Sequence, residues 1–304
     1  MYICIQKKQI FFLINIMKKK YSSYSRKISL FFLKLKGLYE IISSKIFKIK
    51  TSTVNVDVII TMHLKDLKKI KKCIHGLKKN LMHPIDKIYI ISSSSLKAIK
   101  MIKELDCIFI DENTLIKLTK DKIQYKPGGI DRAGWLFQQF LNYAGIIALG
   151  RCEYKFCINA DTILSRKQIF YKNNKIVFNA TNDYQNDYFE IADKLLGLKT
   201  FSKFSFTSHH MLYKRKIMKQ MLKTIEKKFK EPWYLAILNN INKNLHSCHS
   251  DFDTYAQFFY NNYKKSMKIE YWFNKTVFKN TKINNFFNHF IYKSISIHSW
   301  ADDR

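Results

Sequence analysis

Between Val54 and Ile158 the chain alternates short β-branched and aromatic runs with longer segments whose apolar residues recur at three- and four-residue steps. That alternation leaves few folds open. VNVDVIITM (residues 54–62) reads as a strand and is followed by a helical face of Leu64, Leu67, Ile70, Ile74, Leu77 and Leu81. KIYIIS (87–92) reads as a second strand, Leu96 to Leu105 as a helix, and Cys107 to Ile110 as a third strand closing on Asp111 and Glu112. Strands that alternate with helices require crossover connections, so the expectation is an α/β fold with a mostly parallel central sheet flanked by helices. No Gly-rich loop follows the first strand: Thr61 to Asp66 is TMHLKD, which removes the P-loop and dinucleotide fingerprints and weakens ATPase and dehydrogenase readings.

KPGG at 126–129 is the strongest turn signal in the chain, and the helix after it carries Trp135, Leu136, Phe140, Leu141, Ala144 and Ile147 on one face, with Gly150 at its stop. Next comes YKFCINADTILSR (154–166), a buried-strand pattern that ends on Asn159, Ala160, Asp161 and Thr162. Ligands of open α/β folds bind outside the carboxyl ends of the strands, where a carboxylate is placed to hold a hard cation against a phosphate. The competing role for Asn159 and Asp161 is capping of the following turn. Arg132, before the first turn of its helix, reads either as a diphosphate contact or as a solvated arginine.

Further strands are expected at KIVFNA (175–180) and at 268–273, and further helices at 183–197, 214–229, in EPWYLAILNNI with Pro232 near its first turn, and at 250–263. His209 and His210 lie in FSFTSHHMLY; adjacent residues on a strand face opposite ways, so one of the two is expected in a site that holds sugar or phosphate. Asp251 and Asp253 are candidates for acceptor activation, because deprotonating a sugar hydroxyl needs a positioned carboxylate. They also read as a helix start, with Ser250 and Asp253 forming an S-x-x-D capping pattern. His246, Cys248, His249 and Asp251 lack a second ligand pair at a familiar zinc spacing.

The chain has 304 residues, and 54 Lys plus Arg against 23 Asp plus Glu give a formal charge of +31, which favours anionic partners. Residues 1–50 mix basic clusters with apolar patches and read as a basic amphipathic extension able to lie on an anionic membrane. The alternatives are a helix packed on its own domain, or an over-extended start with Met17 as first residue. Residues 51–304 read as one domain. Six cysteines without a CxxC pair fit a reducing, cytoplasmic setting, and Ile10 to Met17 is too short to span a bilayer. A peripheral position on the inner face of the membrane is compatible with both.

VDVIIT, HPIDKIYIIS, GWLFQQFL, INADT, SFTSHHMLY, EPWYLAI and SDFDTYAQF, in that order, resemble an uncharacterised bacterial glycosyltransferase family with the nucleotide-sugar-binding GT-A fold. The resemblance spans residues 54 to about 300. It implies a transferase that moves a sugar from a nucleotide-sugar donor to a cell-surface glycan or lipid-linked acceptor, as in polysaccharide biosynthesis, with a divalent cation (Mn²⁺ or Mg²⁺). INADT then looks like the metal-binding DxD motif, with Asp161 as its cation-ligating acid. Asn159 departs from the pattern by supplying an amide in place of a charge. Thr61, Asn159, Asp111, Arg132, His209 and His210 are the expected donor contacts, Asp253 and Asp251 the expected catalytic acids, and His298 a second metal ligand from the tail. A catalytically inactive member of this fold is one alternative. A basic nucleic-acid-binding protein is another, with 15% aromatic residues but no recognised module, so no nucleic acid partner is expected.

Overall fold

The structure, a computed structural model, describes residues 2–43, 50–277 and 291–297, with side chains from residue 23 onward. A long first helix, α1 (Tyr2–Ser43), precedes the alternating region: β1 (Val56–Thr61), α2 (Ile70–Asn80), β2 (Ile85–Ser92), α3 (Leu96–Glu104), β3 (Ile108–Asp111), α4 (Ala133–Ala148) and β4 (Tyr154–Ile158). Then come β5 (Thr162–Leu164), β6 (Tyr171–Lys172), β7 (Lys175–Ala180), α5 (Asn186–Leu196), β8 (His210–Lys214), α6 (Arg215–Phe229), α7 (Trp233–Asn240) and α8 (Asp251–Tyr263). The chain closes with β9 (Met267–Tyr271), β10 (Asn274–Val277) and β11 (Ser294–Ile297).

The central sheet runs β3-β2-β1-β4-β8, with every pair parallel except β4 and β8. This is the mixed α/β architecture with a mostly parallel sheet that the alternation demands. All six residues of β1 are buried, as a strand covered on both faces requires. α4 packs on β1 and β4 and also meets α6 and α8, while α3 lies against β3. Two small sheets, β10-β11-β5 and β6-β7-β9, flank the central one.

Two charged side chains sit inside the central sheet. Asp57 and Lys155 are directly paired across β1 and β4, both wholly buried, with Lys155 Nζ 2.5 Å from Asp57 Oδ2. The same oxygen accepts the Cys152 N–H at 2.8 Å. Gly150 makes this approach possible: its φ is +63°, and a Cβ there would come within 2.2 Å of the Asp57 carboxylate.

The structure departs from the expected elements in two places. The helix expected from Leu64 breaks into a single turn at Leu64–Asp66 before α2. In FSFTSHHMLY only the final part is a strand: His209 has φ +58° and precedes β8, so the two histidines are separated by a backbone reversal as well as by strand alternation.

Candidate active site

The carboxyl ends of the parallel strands form one edge. Thr61 pairs in register with Ile91, Ser92 with Asp111, and Ile158 with His210, so β1, β2, β3 and β4 all finish at the edge where β8 starts. Asn159 and Asp161 follow directly. The Asn159 N–H donates to the His209 carbonyl at 2.9 Å, and the Thr162 N–H returns to the Asn159 carbonyl at 3.0 Å. This tight turn leaves Asp161 half-buried at its corner. Beneath the turn the buried Cys73 thiol lies 3.7 Å from the Asn159 carbonyl; burial, with a smaller contribution from the Asp161 charge, pushes the thiol far up and keeps it a protonated donor.

The wall beside Asp161 comes from the last two strands, β10 and β11, and from Trp272. The Ile297 N–H donates to the Asp161 carbonyl at 2.9 Å, and Lys69 Nζ, bonded to Asp66 at 2.9 Å, donates to the Ile297 carbonyl at 3.0 Å. Ser296 Oγ is 3.1 Å from His209 Nδ1 and donates to Asn274 Oδ1 at 3.2 Å, which also accepts from Ser294 Oγ at 2.9 Å. Trp272 Nε1 donates to Ser294 Oγ at 2.8 Å, and its ring packs on His209 at 5.0 Å. Residues 272–274 and 294–297 carry no site motif in the sequence. Their signal, the alternating SISI run, is too short to mark a strand without its partner β5, more than 100 residues away.

His298 lies outside the described residues; the described chain reaches Asp161 at Ile297. Among the described residues the single group of three His, Cys, Asp or Glu side chains converging as for a metal is Asp57, Asp86 and Cys152, at the opposite end of the sheet. There Lys155 and Arg151 already neutralise the two acids, so the group does not fit a cation. Asp161 brings one carboxylate oxygen donor set to the edge. A hard cation fits there only if shared with phosphate oxygens and water.

The other expected residues divide between edge and interior. Asp111 is half-buried and accepts the Asn113 N–H at 2.9 Å, capping the turn after β3. Next to it opens a cavity of about 860 Å³ lined by Glu112, Lys120, Gln124, Lys126, Asp131 and Ala133, which meets the amino end of α4. Arg132 donates its N–H to the Tyr125 carbonyl at 3.0 Å and lays its guanidinium on Trp135 at 4.4 Å; its Nε is buried without a hydrogen-bond partner. A second cavity of about 660 Å³, between Glu153, Arg215 and the lysines of α6, lies at the far end of the sheet. Asp161 lines neither.

Thr61, His210, Asp251 and Asp253 are interior residues. Thr61 Oγ1 donates to Asn142 Oδ1 at 2.6 Å, and Asn142 Nδ2 donates to Asp251 Oδ2 at 2.8 Å. His210 is fully buried, 3.3 Å from Asn179 Nδ2, and burial lowers it to about 3. Burial raises Asp251 to about 7 and Asp253 to about 6. Asp253 Oδ1 accepts the Phe206 N–H at 2.6 Å, and Oδ2 accepts Ser205 and Thr207 hydroxyls at 2.7 and 2.8 Å. Ser250 Oγ accepts the Asp253 N–H at 3.1 Å, so the helix-capping role is present; the returning acid of the capping box bonds the 205–207 loop instead. Neither carboxylate is exposed to an acceptor in this arrangement.

No family model and no curated protein matches the chain. Among solved structures it is similar to mouse xyloside xylosyltransferase 1 in its apo form, at 11% identity and a TM-score of 0.44 over 80% of this chain and 97% of that one. It is similar to the apo WbbM bifunctional glycosyltransferase (13%, 0.43, 80% and 45%) and to the galactosyltransferase LgtC in complex with donor and acceptor sugar analogs (8%, 0.43, 80% and 87%). These are likenesses of overall shape, and the functional reading rests on the site.

Proposed function

We propose that the chain is a nucleotide-sugar-dependent glycosyltransferase acting on a glycan or lipid-linked acceptor at the cytoplasmic side of a membrane. The observation that carries this reading is the Asn159–Asp161 turn at the carboxyl edge of β4, beside the carboxyl edge of β1 and against Ile297 of β11. Departure of a nucleoside diphosphate concentrates negative charge at one point, and a bound Mn²⁺ or Mg²⁺ supplies Lewis-acid stabilisation of that charge.

In this reading the Asp161 carboxylate would hold that cation. Asn159, an uncharged donor and acceptor, suits a ribose hydroxyl. His209, whose backbone carbonyl accepts the Asn159 N–H, is held by Ser296 and Trp272, and an imidazole there suits a phosphate or sugar oxygen. The Asp111 and α4 cavity, with Lys120 and Lys126 on its rim, suits the nucleotide. Asp253 acts as a positioning residue: it holds the loop 205–207 that leads into His209.

Calorimetry with UDP-, GDP- and CMP-sugars, with and without Mn²⁺, tests the reading. One donor class is expected to bind, more tightly with the cation. Asp161→Ala is expected to lower transfer or donor hydrolysis by about 10²-fold or more with an unchanged melting temperature. Full activity in that variant would reject the assignment, and tight salt-dependent binding of DNA without any donor binding would favour the nucleic-acid alternative.

A further inference from the structure

From Tyr24 to Ile42, α1 carries apolar side chains on two sides. The inner side packs on the domain: Leu30 and Ile41 are buried, and Gly37 comes so close to Phe273 that a Cβ would meet the ring at 2.6 Å. Polar contacts secure the same side, with Lys203 Nζ donating to Ser29 Oγ at 2.5 Å and Lys268 reaching Glu40 at 3.7 Å. The outer side is the unusual one. Tyr24, Ile28, Phe31, Phe32, Leu35, Tyr39 and Ile42 are each 44–72% exposed. At 3.6 residues per turn they fall within an arc of about 100°, a continuous stripe roughly 27 Å long. Lys36 borders the stripe on one side, Lys27 and Lys34 on the other, all exposed.

We infer that this outer face of α1 lies in the interface of an anionic lipid bilayer, parallel to the surface. An apolar stripe between rows of lysine suits acyl chains below and anionic headgroups at the sides. A second copy is a poorer occupant, since pairing two such faces brings the lysine rows together on chains of +31. The helix lies on the surface and does not cross it: no helix among the described residues is long and apolar enough to span a membrane. On its inner side α1 packs on β9, and the residue after β9, Trp272, meets His209 edge-on. The inference does not depend on the transfer chemistry.

Flotation of the full chain with phosphatidylcholine vesicles, with and without about one third phosphatidylglycerol, tests it. The chain is expected to float with the anionic vesicles and not with the neutral ones. Phe31→Ser with Phe32→Ser, and separately Lys27→Glu with Lys34→Glu and Lys36→Glu, are each expected to weaken partitioning by about tenfold or more at unchanged melting temperature. Lys219→Glu with Lys223→Glu and Lys227→Glu, the same charge change on exposed α6 positions, is expected to weaken it far less. Absence of flotation, indifference to the phenylalanine pair, or an equal loss in the α6 variant would overturn the inference. So would a dimer that the phenylalanine pair converts to a monomer without vesicle binding.

Discussion

Replacing Asp253 separates a positioning carboxylate from a catalytic base. The carboxylate is wholly buried and accepts three hydrogen bonds, from the Phe206 N–H and from the hydroxyls of Ser205 and Thr207. Its pKa is raised by burial to about 6 from 3.8. A rise of that size corresponds to roughly 3 kcal/mol against the ionised form in the folded state. The folded value lies above the unfolded one, so the contribution to stability is complete below about pH 4, falls between about pH 4 and 6, and is absent above that. Asp253→Asn keeps every partner satisfied: the amide oxygen accepts the Phe206 N–H, and the two amide hydrogens meet hydroxyls that turn to accept. Its stability relative to wild type is therefore expected to rise from pH 4 to 6 and to be equal or higher at pH 8. Asp253→Ala strands the Phe206 N–H and leaves the hydroxyls only each other, at a cost of about 2–4 kcal/mol. Denaturant melts over that pH range and donor turnover form the assay. A positioning role predicts turnover within about tenfold of wild type in Asp253→Asn, whereas loss of a general base costs about 10²–10⁴. A folded, inactive Asp253→Asn would refute the positioning role, and parallel pH curves for the two proteins would refute the burial argument.

Two further outcomes follow from buried charge. Asp57→Ala leaves the wholly buried Lys155 ammonium without its counter-ion and is expected to cost about 3–5 kcal/mol in urea melts. Lys155→Met in the same chain should restore most of that; a cost below about 1 kcal/mol for the single change would contradict the pairing. Glu270, almost buried, contacts Lys172, Lys268 and Lys293 at 2.5, 3.1 and 3.0 Å. Burial alone would raise it, but Lys293, Lys172 and Lys268 together hold it far below the usual carboxylate range. Its stabilisation is thus present above about pH 4.5 and lost as pH falls, so Glu270→Gln should destabilise at pH 7 by about 2–4 kcal/mol and progressively less in acid. A deficit that is constant with pH would count against the three-lysine arrangement.

Much of the site's framework is legible in single residues. Hydrophobic period separates β1 from α2 and β4 from α4, and a strand that stops on Asn159 and Asp161 must put them at a sheet end. Ser250 announces the start of α8 by its hydroxyl alone. Burial is less legible. Asp251 and Asp253 in SDFD are indistinguishable from exposed first-turn acids until α5, α6 and α4 pack around α8. His209 and His210 look equivalent in sequence, yet a left-handed residue and the β4–β8 pairing send one to the edge and the other to the core.

The sequence by itself determined the alternation of the main strands and helices, the mostly parallel central sheet and the acid at the end of β4, because these follow from local periodicity and from the groups that end a strand; the short strands β5, β6, β10 and β11 did not. Only the tertiary structure decided what surrounds that acid: Ser296, Trp272 and Ile297 arrive from 110 or more residues away. It also decided which face of α1 stays open. Contacts of that range depend on how far the whole core closes, and four residues of SISI carry no record of the partner they will meet.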